Sequence, residues 1–109
     1  MAGTRNELGH YSGPATLILA SLAGGERHGY ALSKDIEEFA GVRLGPGTLY
    51  GALTRLEESG LVEAVPSDDR RRPYRLTARG AAVLRRQLDT QRRVAEAGLG
   101  RLSAAGAGA

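Results

Sequence analysis

Between Gly47 and Arg55 the stretch GTLYGALTR brings glycines, hydroxyls and one guanidinium onto a common side of a helix. At about 100° per residue, Gly47, Thr48, Gly51, Thr54 and Arg55 face away from the stripe of Leu49, Leu53 and Leu56, with Tyr50 on the border. Small residues permit close approach, hydroxyls bond phosphates or base edges, and a guanidinium pairs bidentately with guanine, a contact worth about 1–3 kcal/mol of discrimination. That is the chemistry of a helix lodged in the major groove of double-stranded DNA, with Arg55 the base reader. Two further groups suit the same partner. Tyr30 and Lys34, four residues apart on an earlier helix, can hold the phosphate backbone, which fixes register without reading sequence. Arg70, Arg71 and Arg72, with Arg75 close behind, place positive charge beside a duplex or in its minor groove.

Taken singly, each group has a plainer reading. Glycine and threonine on an outward helix face are often neutral, a lone arginine is ordinarily solvated, and Asp68 and Asp69 stand where they can neutralise the arginine run. Their occurrence together, in this order, carries the argument. The overall balance agrees: fifteen basic residues against twelve acids give a net charge of +3 in 109 residues, an excess that matters when it gathers on one face.

Other chemistries find little to work with. The chain has no cysteine, which removes disulfides, thiolate metal sites and cysteine nucleophiles. His10 and His28 are the only histidines, so a transition-metal site would depend on carboxylates, and neither metal nor cofactor is expected. The run from Gly45 to Gly51, GPGTLYG, glances at a dinucleotide fingerprint, but its last spacing is one residue too long and no βαβ unit surrounds it. There is no GxxxxGK[ST] phosphate loop and no GxSxG elbow, so the roles a catalytic site must contain do not assemble and an enzyme is not expected. The apolar run Ala15 to Ala23 has the outline of a short signal peptide, yet it reads better as a buried first helix, and it falls far below the ~20 residues that span a bilayer. No membrane association and a cytoplasmic location are the expectations.

These groups must be positioned by the elements around them. Residues 1–12 are polar and aperiodic and read as an arm. Gly13-Pro14 introduces a first helix whose Leu17, Ile18, Leu19 and Leu22 are apolar on several sides, as if shared with a partner. A second helix is predicted from Gly29 to Phe39 or Ala40, with Leu32, Ile36 and Phe39 inward and Gly41 as its stop. The third runs from Pro46 or Gly47 to Ser59-Gly60. Leu61 to Val65 and Tyr74 to Thr77 form a hairpin around a projecting loop of 66–73. Thr77 caps a long last helix on which Ala81, Leu84, Leu88, Gln91, Ala95 and Leu102 make a weak heptad seam, interrupted by Gln91 and by Gly98 and Gly100. Residues 104–109 alternate alanine and glycine and read as a frayed tail.

The expected fold is mainly α with a small β-hairpin: an arm (1–12), a winged helix-turn-helix (13–76), a C-terminal dimerisation helix (77–103) and a flexible tail (104–109). In detail, ILASLAGGERHGYALSKDIEE from Ile18, LGPGTLYGALTRLEESGLVE from Leu44 and DDRRRPYRLTARG from Asp68 resemble the PadR family of transcriptional regulators, over roughly Gly13 to Leu88. The resemblance implies a homodimeric winged-helix repressor that answers to a small-molecule effector such as a phenolic acid or drug. It also implies that the helix bearing Thr48, Tyr50 and Thr54 meets DNA, and that Arg70 to Arg72 touch its backbone. The single helix after Thr77 marks the short group, in which this helix and the first one build the dimer, here through Leu17, Ile18, Leu84, Leu88, Gln91, Ala95 and Leu102. One departure stands out: with no tryptophan, the chain lacks the flat platform on which some short members sandwich aromatic drugs. The competing reading is a winged-helix protein-interaction module, which would expose apolar side chains where this sequence has hydroxyls and cations.

Overall fold

Two of the helices open on a proline at the first turn, where a missing N–H costs no hydrogen bond and the ring holds φ near its helical value. These are α1 (Pro14–Leu22) and α3 (Pro46–Glu58). Between them lies α2 (Gly29–Ala40), and after α3 come β1 (Val62–Ala64), β2 (Tyr74–Leu76) and the long α4 (Ala78–Gly108). The structure, a computed structural model, describes residues 13–68 and 70–108. The arm read from residues 1–12, with His10, lies outside the described residues, as do Asp69 and Ala109.

Local chemistry sets the boundaries. His28 Nδ1 accepts from the backbone N–H of Ala31 at the start of α2, and Gly41 ends it in the left-handed region at φ 68°, where a side chain would be strained. Thr77 caps α4: its Oγ1 accepts from Gly80 N at 3.0 Å and donates to the Gly60 carbonyl at 2.7 Å, tying the helix to the end of α3. The hairpin is antiparallel, with Val62 opposite Leu76, Glu63 opposite Arg75 and Ala64 opposite Tyr74. Helical backbone runs to Gly108, through the alanine- and glycine-rich end of the chain.

The core gathers around α1. Ile18, Leu19 and Leu22 meet Leu32 and Ile36 of α2, Leu49, Leu53 and Leu56 of α3, Val62 of β1 and Leu84 of α4, each fully buried side chain contributing about 1.5–3 kcal/mol. Within the protomer, α1 has little free surface. Ile18 is 0 % exposed and Leu17 8 %, because α2, α3 and α4 all pack on this short helix and occupy its sides from within the chain. Leu84, at 5 %, is likewise held by its own protomer. Phe39 departs from expectation in the other direction: it is 51 % exposed, since the inward stripe of α2 stops at Ile36 and residues 37–43 lie at the surface.

One polar group is buried with α1. Ser21 Oγ donates to Asp35 Oδ2 at 2.7 Å, and Arg27 Nε donates to the Ser21 carbonyl at 3.2 Å while standing 3.7 Å from the same carboxylate. This knot fixes α2 against the end of α1 and leaves the buried hydroxyl satisfied.

The start of α4 packs closely on the hairpin. A Cβ built on Gly80 would collide with the Leu61 carbonyl oxygen and come within 2.8 Å of Leu76 Cδ1. In an open helix, glycine to alanine stabilises by about 1 kcal/mol. Here the obstacle is backbone, so Gly80→Ala is expected to destabilise by about 1–3 kcal/mol, the usual cost of overpacking. A urea midpoint equal to or above that of the unsubstituted chain would show that the contact relaxes freely.

Candidate nucleic-acid interface

The exposed side of α3 is built as its spacing predicts. Leu49, Ala52, Leu53 and Leu56 are buried, whereas Gly47, Thr48, Tyr50, Thr54 and Arg55 are exposed and Gly51 is half-buried. Thr54 Oγ1 donates to the Tyr50 carbonyl at 2.9 Å, which locks its rotamer and leaves its lone pairs outward. Arg55 lies in the last turn of the helix, yet its side chain runs back toward the N-terminus, as helical side chains do. Its Nη1 would be 3.7 Å from a Cβ on Gly51, an ordinary contact distance, so the guanidinium lies back along the helix over that residue.

Tyr50 joins α3 to α2. Its hydroxyl and ring rest on the backbone of Gly29, where any Cβ would collide with them. Tyr30, 69 % exposed, stands next to this contact, with Lys34 Nζ 5.9 Å from its ring centroid, at the outer edge of a cation–π contact.

The hairpin loop is brought to the same place by the backbone. Arg27 N donates to the Tyr74 carbonyl at 3.1 Å and Tyr74 N to the Arg27 carbonyl at 2.9 Å, a two-bond bridge that fastens β2 to the segment leading into α2. Val65 N donates to the Pro73 carbonyl at 2.8 Å and extends the hairpin outward. As a result Arg70, Arg71 and Arg72 share a cleft of about 270 Å³ with His28, Gly29, Tyr30, Tyr50 and Tyr74. Residues from three separate stretches of sequence therefore open onto one basic, tyrosine-lined hollow beside α3. His28, Gly29 and Tyr74 were not singled out by sequence reasoning. A glycine in the first turn of a helix, flanked by His28 and Tyr30, is the signal that could have found the first two.

Arg75 is placed differently. It faces along the hairpin toward two carboxylates, with Nε 2.6 Å from Glu63 Oε2 and Nη1 3.8 Å from Glu26 Oε2. The hydrogen bond and charge of Glu63, with Glu26 adding to them, hold its guanidinium above the ordinary arginine pKa. Its charge is thus met within the chain, unlike what the sequence cluster of Arg70, Arg71, Arg72 and Arg75 suggests. On α4, Leu88, Ala95 and Leu102 lie on the exposed surface and Gln91 is half-buried. No helix among the described residues is long and apolar enough to cross a membrane.

A helix-turn-helix of α2 and α3, flanked by a two-stranded hairpin whose loop lies beside α3, is a winged helix-turn-helix. Within that class, the chain belongs to the transcriptional regulator PadR-like family, which it matches over residues 18–86. It is 46% identical over 78 residues to an uncharacterized 37.1 kDa protein in a transposon of Streptomyces fradiae, covering 72% of this chain and 23% of that one. It is 41% identical over 70 residues to a transcriptional regulator of Mycobacterium tuberculosis, covering 62% of this chain and 64% of the relative. The chain therefore spans less than two thirds of either relative. Among solved structures, a PadR family transcription regulator from Clostridium difficile superposes with a TM-score of 0.70 at 27% identity, over 77% of this chain and 92% of that one.

Proposed function

We propose that the protein is a DNA-binding transcriptional repressor that holds an inverted-repeat operator as a homodimer. The observation that carries this reading is the convergence of Arg70 to Arg72 with Tyr30 and Tyr50 at the edge of the exposed side of α3. In this arrangement α3 enters the major groove by Gly47, Thr48, Gly51 and Thr54, and Arg55 reads a base edge. Tyr30, Lys34 and Tyr50 hold phosphates on one flank, and the arginine loop, which opens onto the same hollow, lies along the backbone beside them. An interaction module would expose apolar side chains on this face, whereas the large exposed residues there, Tyr30 and Tyr50, carry hydroxyls.

Two subunits related by a twofold axis present their α3 helices to successive major grooves, about one helical turn apart. The exposed residues Leu88, Ala95 and Leu102 of α4, with Gln91, form the contact between them. A small-molecule effector that prefers one angle between the two α4 helices would change the spacing of the heads and release the operator by population shift.

The test is a salt series with mixed genomic DNA and with a selected operator. Phosphate binding weakens with a log–log slope of about −0.9 per neutralised phosphate, and flat salt dependence would remove DNA as the partner. On the operator, Arg55→Ala is expected to cost about 1–3 kcal/mol and to relax preference at one base pair while leaving the salt slope nearly unchanged. Unaltered preference after that substitution would take base reading away from Arg55.

A further inference from the structure

The positive surplus of the chain does not gather beside α3 alone. α4 carries six arginines against two acids, Asp89 and Glu96, a larger excess than the net +3 of the whole chain, so the rest of the chain is acidic on balance. Four of the six fall on one side of the helix. Arg79, Arg86, Arg93 and Arg101 are spaced by seven, seven and eight residues, which at about 100° per residue keeps them within about 80° of one another and spreads them over about 33 Å of helix. All four are exposed, and none has a carboxylate partner among the described residues. Thr90 and Ala97 stand between them, small and exposed. Both acids lie on the neighbouring flank with Arg85 and Arg92, where Asp89 Oδ1 accepts from Arg92 Nη2 at 3.2 Å.

A merely solvated helix surface ordinarily mixes the two signs, because opposite charges three or four residues apart support the helix. One sign held over about six turns forgoes that support. The stripe also has a definite direction. Leu84, across α4 from it, is buried in the core, so the arginines face away from the head. α1 packs on both α3 and α4 and stands between them, so the outer sides of these two helices look in different directions.

We propose that the outer side of α4 is a second, sequence-independent contact for duplex DNA, which takes a different segment from the one that α3 holds. The inference stands on the charge of α4 and not on the operator reading; with both in place, the protein bridges two segments of DNA. The make-up of the stripe selects a duplex among polyanions. Guanidinium groups pair with phosphate bidentately, and about 33 Å is close to one turn of a duplex, along which a phosphate charge recurs every ~1.7 Å. A single strand calls for aromatic side chains on which bases stack, and a protein partner for a central aromatic or aliphatic anchor. The stripe has neither. A membrane surface calls for the apolar side of the same helix to enter lipid, and in α4 that side begins with Leu84, which the core holds.

The test replaces Arg79, Arg86, Arg93 and Arg101 together by glutamine, a good helix former that removes only the charge. Anisotropy of a labelled mixed-sequence duplex is followed against salt for the full chain and for the chain with Arg70, Arg71 and Arg72 replaced by alanine, each with and without the four glutamines. In both backgrounds the glutamines are expected to flatten the log–log slope by about 3.6 if each arginine meets a phosphate, and lysine at the same four positions should restore it. Protein held on an immobilised operator should capture a labelled second duplex, and at least tenfold less of it with the glutamines. Slopes or capture unchanged by the glutamines, or lost alike with lysine, would overturn the inference. So would displacement of the duplex by polyglutamate of equal charge as readily as by unlabelled duplex, which would assign the stripe to an acidic protein. A stripe-dependent slope in a chain that selects no operator would instead remove the operator reading and leave this inference standing.

Discussion

Leu88→Asp is expected to convert the protein to a monomer and to weaken operator binding by about a hundredfold or more, since linked half-sites contribute roughly 10²–10⁴ in avidity. Leu88 is 40 % exposed in the protomer, so an aspartate there keeps water on one side and the winged head folds. In a paired seam the same carboxylate is stripped of water with no cation opposite it, a penalty of several kcal/mol. Light scattering reads the first effect and fluorescence anisotropy on a full operator reads the second. Arg86→Asp, on the far side of α4, is the matched control and should leave the mass unchanged. A dimer that persists with Asp at 88 would remove this residue from the contact.

The second large effect lies in the wing. Replacing Arg70, Arg71 and Arg72 together by alanine is expected to flatten the log–log salt dependence by about 2.7 if each arginine meets a phosphate. Affinity should fall for every DNA sequence alike, because backbone contacts position the protein without specifying bases. The substitutions fall on an exposed loop outside the paired strands, so the melting temperature should hardly move. Set beside Arg55→Ala, the pair of experiments separates the two kinds of contact: one changes which sequence is preferred, the other how strongly any sequence is held. An unchanged slope would place the arginine loop away from the duplex.

How much of this was legible beforehand depends on whether a feature is written locally or across the fold. Helix spacing exposed Leu49, Leu53 and Leu56 as the inner stripe of α3 and thereby its outer side, and Gly41 and Thr77 marked helix ends because capping is decided within a few residues. The burial of Ile18 was not legible in the same way. An apolar helix looks alike whether its second side meets its own chain or another, and only the packing of α2, α3 and α4 around α1 decides. Phe39 fits the period of α2, but a period does not say where the core ends. Arg75 shares its run with three other arginines and is separated from them by the alternation of a strand, which turns it toward Glu63. Gly29 and Gly80 look like ordinary glycines in sequence. Their reason, a tyrosine ring against one and a carbonyl oxygen against the other, lies about 20 residues away in each case.

The two backbone hydrogen bonds between Arg27 and Tyr74 have a mechanical consequence. They fasten the base of the hairpin to the segment leading into the second helix, at roughly 1 kcal/mol for each bond, so splaying the wing from its base would break both. In a two-headed assembly, a signal that acted on the distance between heads would leave that clasp closed, altering which separation of half-sites is tolerated and sparing the preferred letters within each half-site.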